Sequence, residues 1–301
     1  MKHQQHSYYL PVSTYQLHIR RLLPLAEPIG SVLMLHGAIE NGRIFYSPSG
    51  KGLGCYLADH GFAVYCADFA GRGRSLPHSS SGFDHSQQQL ICQDIPALLQ
   101  HVKQLHQKPV HIISHSWGGV LAAASLSRHP ELLSQVRSKV CFGTKRKIHG
   151  RSLEKRLKID LIWNQLGSWL ARKHGYFPAR RWRLGGDDEP RQFLADCIRW
   201  IQSDDFVDCS DGFDYGAAAQ QVSWPPLWHF VAERDRVLGH PADVRAFITE
   251  AGQHQTKLTH LGLASGALLD YDHISMLTHP KATSDHFPQL VQWLSELSRT
   301  P

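Results

Sequence analysis

The chain has 301 residues, 42% of them apolar and 19% charged, the balance of a globular protein long enough for one large core and an insertion. The six cysteines (55, 66, 92, 141, 197 and 209) are scattered without a C-x-x-C pair, so reduced thiols and a cytoplasmic compartment are expected. No apolar run has the length or flanks of a secretion signal or a membrane span, so neither is expected. The net charge of +6 makes an anionic partner worth considering, while the 21 histidines include no helical pair in metal-ligand spacing with a third ligand nearby, so no metal site is expected.

Residues 7–12 and 15–23 have β-like composition around a Pro-Val-Ser-Thr turn and predict an antiparallel hairpin. Ser31–His36 is a continuous apolar run, as in a strand buried on both faces, and ends in His36-Gly37-Ala38 before a polar loop. A helix over Leu53–His60, stopped by Gly61, leads to a second buried strand, Phe62–Phe69, and to Asp68-Phe69-Ala70-Gly71-Arg72-Gly73-Arg74-Ser75. That stretch lacks both G-x-G-x-x-G and a Walker lysine, so it reads as a tight turn, not a phosphate loop. Ser86–Gln107 carries one apolar face and predicts a helix, with a kink or late start at Pro96.

Val110–Ser114 is another apolar strand, and an alanine-rich helix follows at once through His129. The serine between them, Ser116, occupies the strand-to-helix turn of a nucleophile elbow, with Gly118 and Gly119 where strand and helix leave no room for a Cβ. Ser114 lacks a glycine two residues on and is the weaker candidate. Lys139–Gly143 adds a strand, and the strand–helix alternation to this point implies right-handed crossovers and a parallel sheet. From 144 to about 221 the alternation stops. Residues 145–184 hold twelve bases, Lys145, Arg146 and Arg151 among them, against only Glu154 and Asp160, a local excess of ten charges. Ile159, Leu161, Ile162, Trp163, Leu166, Trp169 and Leu170 supply an apolar face beside them. Alternation resumes with a strand at Trp228–Ala232, a helix at Pro241–Ala251, a strand at Thr256–Gly262 and a final helix at about Pro280–Leu297.

The motif series H-G at 36–37, D-x-x-G-x-G-x-S at 68–75 and S-H-S-x-G-G at 114–119 resembles the α/β-hydrolase superfamily, in its lipase/lysophospholipase-like and serine aminopeptidase-like branches. The usual G-x-S-x-G becomes Ser114-His115-Ser116-Trp117-Gly118 here, and the usual Gly-His becomes Asp272-His273. The resemblance implies an α/β fold with a mostly parallel central sheet and helices on both faces. Its core would be formed by residues 1–144 and 222–301, with a helical cap at 145–221. It also implies a triad of Ser116 as nucleophile, Asp235 as acid and His273 as base, in the chain order of this fold, with the Ala38 and Trp117 amides as oxyanion donors.

The activity so implied is cleavage of a carboxylic ester through an acyl-enzyme, with no cofactor. The alternatives are a thioesterase or acyltransferase, an aminopeptidase using the same triad, and a non-catalytic binding protein of this fold. The expected partner is a small acyl substrate, anionic if the basic cap receives it. The cap could instead rest on an anionic membrane surface or simply be solvated, and no nucleic-acid module accompanies the charge.

Overall fold

The computed structural model describes residues 2–150 and 152–299; Arg151, one of the cap bases, lies outside them. Ten strands follow in chain order: β1 (His3–Val12), β2 (Tyr15–Pro24), β3 (Gly30–Leu35), β4 (Phe62–Ala67), β5 (Val110–His115), β6 (Val136–Phe142), β7 (Tyr176–Phe177), β8 (Glu189–Pro190), β9 (Leu227–Ala232) and β10 (Thr256–Leu261). Eight of them form one sheet in the order β1-β2-β4-β3-β5-β6-β9-β10. The β1–β2 hairpin turns at Ser13-Thr14, and β2 joins β4 antiparallel; from β4 to β10 every pairing is parallel.

Period-two alternation divides the central strands between two apolar layers. In β3, Leu33 and Leu35 face the layer built with α2 (Ile95–His106) and α3 (Trp117–Arg128). Val32 and Met34 face the other, built with α1 (Leu53–Asp59) and the C-terminal helix His286–Arg299. Burial on both faces explains why these strands read as unbroken apolar runs.

The helix expected over Ser86–Gln107 is a capped turn at Gln87–Gln89, a π-helical turn at Leu90–Asp94, and then α2. Pro96 sits in the first turn of α2 within one continuous helical run; the widened turn before it accommodates the ring, and the Ile91 carbonyl five residues back accepts the Ser125 hydroxyl at 2.8 Å instead. The final helix is likewise divided, because Asp285 leaves helical geometry and turns its carboxylate to the Leu268 N–H and the Tyr271 hydroxyl.

Between β6 and β9 the chain forms a helical run over 153–174, wound as a π-helix at Arg156–Gly167, then α4 (Arg191–Gln202) and α5 (Tyr215–Gln220). The antiparallel pair β7–β8 also lies here; two residues a strand are too few to leave a periodic signal. The apolar face expected on the 153–174 run divides in two. Ile159 and Leu170 are buried, whereas Leu161, Leu166 and Trp169 are exposed. Leu170 joins Phe177, Leu194 and Ile198 in a local cluster, while Phe193, Cys197 and Trp200 of α4 enter the main core.

The β5–α3 junction shows why glycine follows the elbow. A Cβ on Gly118 would lie 2.4 Å from the His36 carbonyl oxygen and 2.5 Å from that of Leu35. One on Gly119 would lie 2.2 Å from Thr144 Oγ1. Backbone oxygens cannot retreat as a flexible side chain can, so Gly118→Ala is expected to destabilise the fold by about 1–3 kcal/mol. Urea unfolding of the purified variant checks this.

Candidate active site

Ser116 joins β5 to α3 with φ 49° and ψ −122°, a conformation outside the regions L-residues favour. Its own N–H is held by the Phe142 carbonyl at 2.8 Å, and its carbonyl accepts the Gly119 N–H at 3.1 Å. Its side chain lines a large cavity. Ser114, two residues earlier in the strand, is fully buried and donates its hydroxyl to the Val140 carbonyl at 3.1 Å. In place of the usual glycine, Ser114 thus satisfies its hydroxyl on the neighbouring strand.

Ala38 and Trp117 line the same cavity as Ser116, and among the described residues neither amide donates a hydrogen bond within the chain. Trp117 is fixed from its other end, its indole N–H donating to Gln87 Oε1 at 2.7 Å. His36 orders the loop that presents Ala38: Nδ1 lies 2.8 Å from the Gly37 carbonyl, and Nε2 accepts the Phe69 N–H at 3.1 Å. The ring is therefore the Nδ1–H tautomer, and burial lowers its pKa. The Asp68–Ser75 stretch is a turn closed on itself, with Asp68 accepting the Gly42 and Arg74 N–H groups and its carbonyl accepting the Ser75 hydroxyl.

His273 and Asp235 come from the loops after β10 and β9 and meet with Nδ1 to Oδ2 at 2.5 Å. Two glycines make room for the pair. A Cβ on Gly143 would lie 2.9 Å from His273 Nδ1, and one on Gly239 would lie 2.3 Å from Asp235 Oδ2. Asp272, where the usual pattern has glycine, caps the following turn by accepting the Ile274 and Ser275 N–H groups. Ser116 and His273 line one cavity, but no hydrogen bond joins their side chains among the described residues. Such contacts commonly close only when substrate is bound. Burial lowers the His273 pKa against the pull of Asp235, with His115 and Lys145 reinforcing the burial. For Asp235, burial favours the acid form, but the His273 ring and Lys145 outweigh it and hold the carboxyl below its usual range.

Two further groups at the site were not singled out from sequence. The His115 ring lies 4.5 Å from that of His273, with Nδ1 2.8 Å from Glu40 Oε2 and Nε2 2.9 Å from the His273 carbonyl. Both ring nitrogens thus face acceptors, which fixes the ring against His273. Burial opposes the Glu40 charge, yet His115 prevails and holds that carboxyl at about 2. The second group lies in the insertion. Glu189 is fully buried against Arg72 at 2.6 Å and accepts the Ile39 N–H, while the Ile39 carbonyl accepts the Asp187 N–H at 3.0 Å. Glu40 lies three residues beyond Gly37 and His115 directly before Ser116, spacings that could have flagged that pair; nothing in sequence links Glu189 to a loop 150 residues away.

The cavity measures about 1320 Å³, more than a drug-sized ligand requires. Its walls include Ile148, Ile159, Ile162, Trp163 and Phe177, with Arg43, Arg74, Arg180 and Arg183 also on the lining. Four of the twelve bases at 145–184 are matched among the described residues: Arg146 by Glu250, Lys147 by Asp204, Lys155 by Asp160 and Lys158 by Glu154.

Strand order, parallel crossovers and the elbow after β5 make this an α/β-hydrolase fold. The chain belongs to the family described as serine aminopeptidase, S33, whose model matches residues 26–192. Triacylglycerol lipase 1 of Arabidopsis thaliana is 28% identical over 124 residues, 38% of this chain and 32% of that protein. Triacylglycerol lipase 2 of the same plant is 32% identical over 114 residues, 36% of this chain and 27% of that protein. The matched stretch therefore spans about a third of these relatives. Among solved structures, a soluble variant of monoglyceride lipase from Saccharomyces cerevisiae superimposes with a TM-score of 0.69 at 16% identity, covering 98% of this chain and 96% of that one. A thermophilic esterase from Thermogutta terrifontis gives a TM-score of 0.60 at 13% identity, covering 97% and 99%.

On the reading of His273 as the base, only its neutral ring accepts a proton, and kcat/KM is expected to rise with pH through the ring's pKa. Because that pKa is lowered, the acid limb is expected below the ordinary 6.5. Asp235→Asn is expected to reduce kcat by on the order of 10⁴ by losing the productive tautomer. Profiles of kcat/KM against pH on a neutral ester, for wild type and variant, check both.

Proposed function

We propose that this chain is a serine hydrolase that cleaves carboxylic esters through an acyl-enzyme. His273 takes the proton of Ser116 as Oγ attacks the ester carbonyl, and Asp235 holds the ring and stabilises the imidazolium. The oxyanion rests on the Ala38 and Trp117 amides, and removal of one such donor costs on the order of 3 kcal/mol of transition-state stabilisation. His273 then protonates the leaving alcohol, and a water activated by the same ring releases the acid. The observation that carries this reading is the backbone of Ser116, which sets its side chain on the cavity beside two amides without partners. The size and apolar walls of the cavity favour an acyl chain, in keeping with the lipases among the relatives.

The test is covalent labelling with a fluorophosphonate. Wild type and Ser114→Ala are expected to label and Ser116→Ala not to. Wild type is also expected to turn over p-nitrophenyl esters, with the matching thioesters and aminoacyl amides slower. Well-folded wild type that neither labels nor turns over any of these would favour the non-catalytic reading.

The exposed side of the 153–174 helix supports contact with an anionic lipid surface. Leu153, Leu157 and Leu161 recur every four residues with exposures of 82%, 54% and 50%, and Trp169 carries Lys173 over its ring at 5.1 Å. The chain is expected to sediment with vesicles containing phosphatidylglycerol more than with phosphatidylcholine alone. Leu153→Glu combined with Leu161→Glu is expected to abolish that difference while soluble-ester turnover persists.

A further inference from the structure

Lys145 is only 5% exposed, and its side chain lines the same cavity as Ser116 and His273. Among the described residues its ammonium makes no hydrogen bond or ion pair. The acids whose charges it feels are engaged elsewhere: Asp235 with His273, Asp243 with His149, and Glu40 with His115 and the Gly37 amide. An ammonium withdrawn from water without a direct partner is destabilising, so a buried lysine of this kind needs a reason to persist.

The chain around it is held firmly. Gly143 passes against the His273 ring, and Thr144 fills the space left by Gly119 of the elbow. Arg146, fully buried, binds Glu250 and the carbonyls of Trp200, Ser203 and Asp204, tying the end of α4 to the helix Pro241–Glu250. Lys145 is therefore preset beside the reacting groups, between two anchored residues. The neighbouring walls are apolar, with Ile148, Ile159 and Leu238 on the same lining, so water competes weakly for a charge placed there.

Building on the ester-hydrolase reading, we propose that Lys145 forms an anion subsite inside the active-site cavity, and that the substrate is an ester bearing a carboxylate or phosphate close to its scissile group. A compact ammonium with three rotatable donors accepts either anion without the fixed planar geometry of an arginine. Burial, which lowers the Lys145 pKa against the pull of Asp235, Asp243 and Glu40, agrees with a cation that lacks a close partner until substrate supplies one.

Two matched pairs of esters test this. The first is p-nitrophenyl butyrate against p-nitrophenyl hydrogen succinate, which adds a carboxylate on the acyl side. The second is a monoacylglycerol against the lysophosphatidate of the same acyl chain, which adds a phosphate on the leaving alcohol. Wild type is expected to favour the anionic member of at least one pair, and that pair identifies the source of the anion. Lys145→Met is expected to lower kcat/KM for that member at least tenfold and for its neutral counterpart by less than threefold. Equal losses on both members, or no anionic preference in wild type that hydrolyses neutral esters, would overturn the subsite and leave the hydrolase reading intact. If Lys145→Met does not fold, wild type decides. Succinate or glycerol phosphate is expected to inhibit neutral-ester turnover competitively where glycerol does not, and equal indifference to all three would overturn the proposal. Absence of both turnover and fluorophosphonate labelling would instead defeat the hydrolase reading on which it rests.

Discussion

Between His115, the last residue of β5, and Trp117, the first of α3, one residue carries the chain from extended to helical geometry. Ser116 does so at φ 49° and ψ −122°, a strain of about 1–3 kcal/mol that only surrounding contacts can sustain. They are close ones: the start of α3 presses on the β3 terminus at the Leu35 and His36 carbonyls, with Gly118 as the only side chain small enough, and β6 holds the Ser116 N–H from the other side. The same approach that strains the serine leaves the first amide of α3 without an intrahelical partner, as at every helix N-terminus. Strain, the placing of Ser116 on the cavity and an amide without a partner thus have one cause.

The other unpartnered amide on the cavity has no such guarantee, since Ala38 belongs to a loop. It is secured in pieces. His36 locks the start of the loop, Glu40 holds the Gly37 amide, and Asp187 with Glu189 grips both backbone groups of Ile39. Ile39 itself takes φ 51°, an unusual conformation for a β-branched residue. The insertion therefore does more than roof the cavity; part of the loop conformation beside Ser116 depends on it. A substitution near Glu189 would be felt at Ala38 without touching the cavity lining there.

Much of this was legible because the relevant signals are local. Continuous apolar runs announced a sheet buried on both faces, and a serine followed by two glycines between strand and helix announced the elbow. The order Ser116, Asp235, His273 put the last two on late loops, and the structure brings their side chains together. What could not be read depends on contacts between distant segments or on very short elements. The Glu189–Ile39 contact and the Arg146–Glu250 pair join segments more than a hundred residues apart, and β7 and β8 are two residues each. The basic excess at 145–184 was visible as a sum, but the sum concealed its division. Some of those bases are matched on the surface, Arg146 is an internal strut, and Lys145 faces the cavity.

That division matters for the electrostatics of His273. A base beside a buried carboxylate would tend to hold a proton at rest, since the ion pair stabilises the imidazolium. Here burial, His115 and Lys145 act against that tendency, so the resting ring is biased towards the neutral form that can accept a proton. Glu40 holds His115 in a hydrogen bond, whereas among the described residues the Lys145 ammonium has no hydrogen-bonded acid. An anion arriving at Lys145 would therefore have two effects: it would complete an ion pair in a poorly hydrated pocket, and it would relieve part of the pressure against protonating His273. On the mechanism proposed above the ring becomes positive as Ser116 attacks, so binding of such a group and proton transfer would assist each other, and the assistance would be largest in the transition state, where the imidazolium exists.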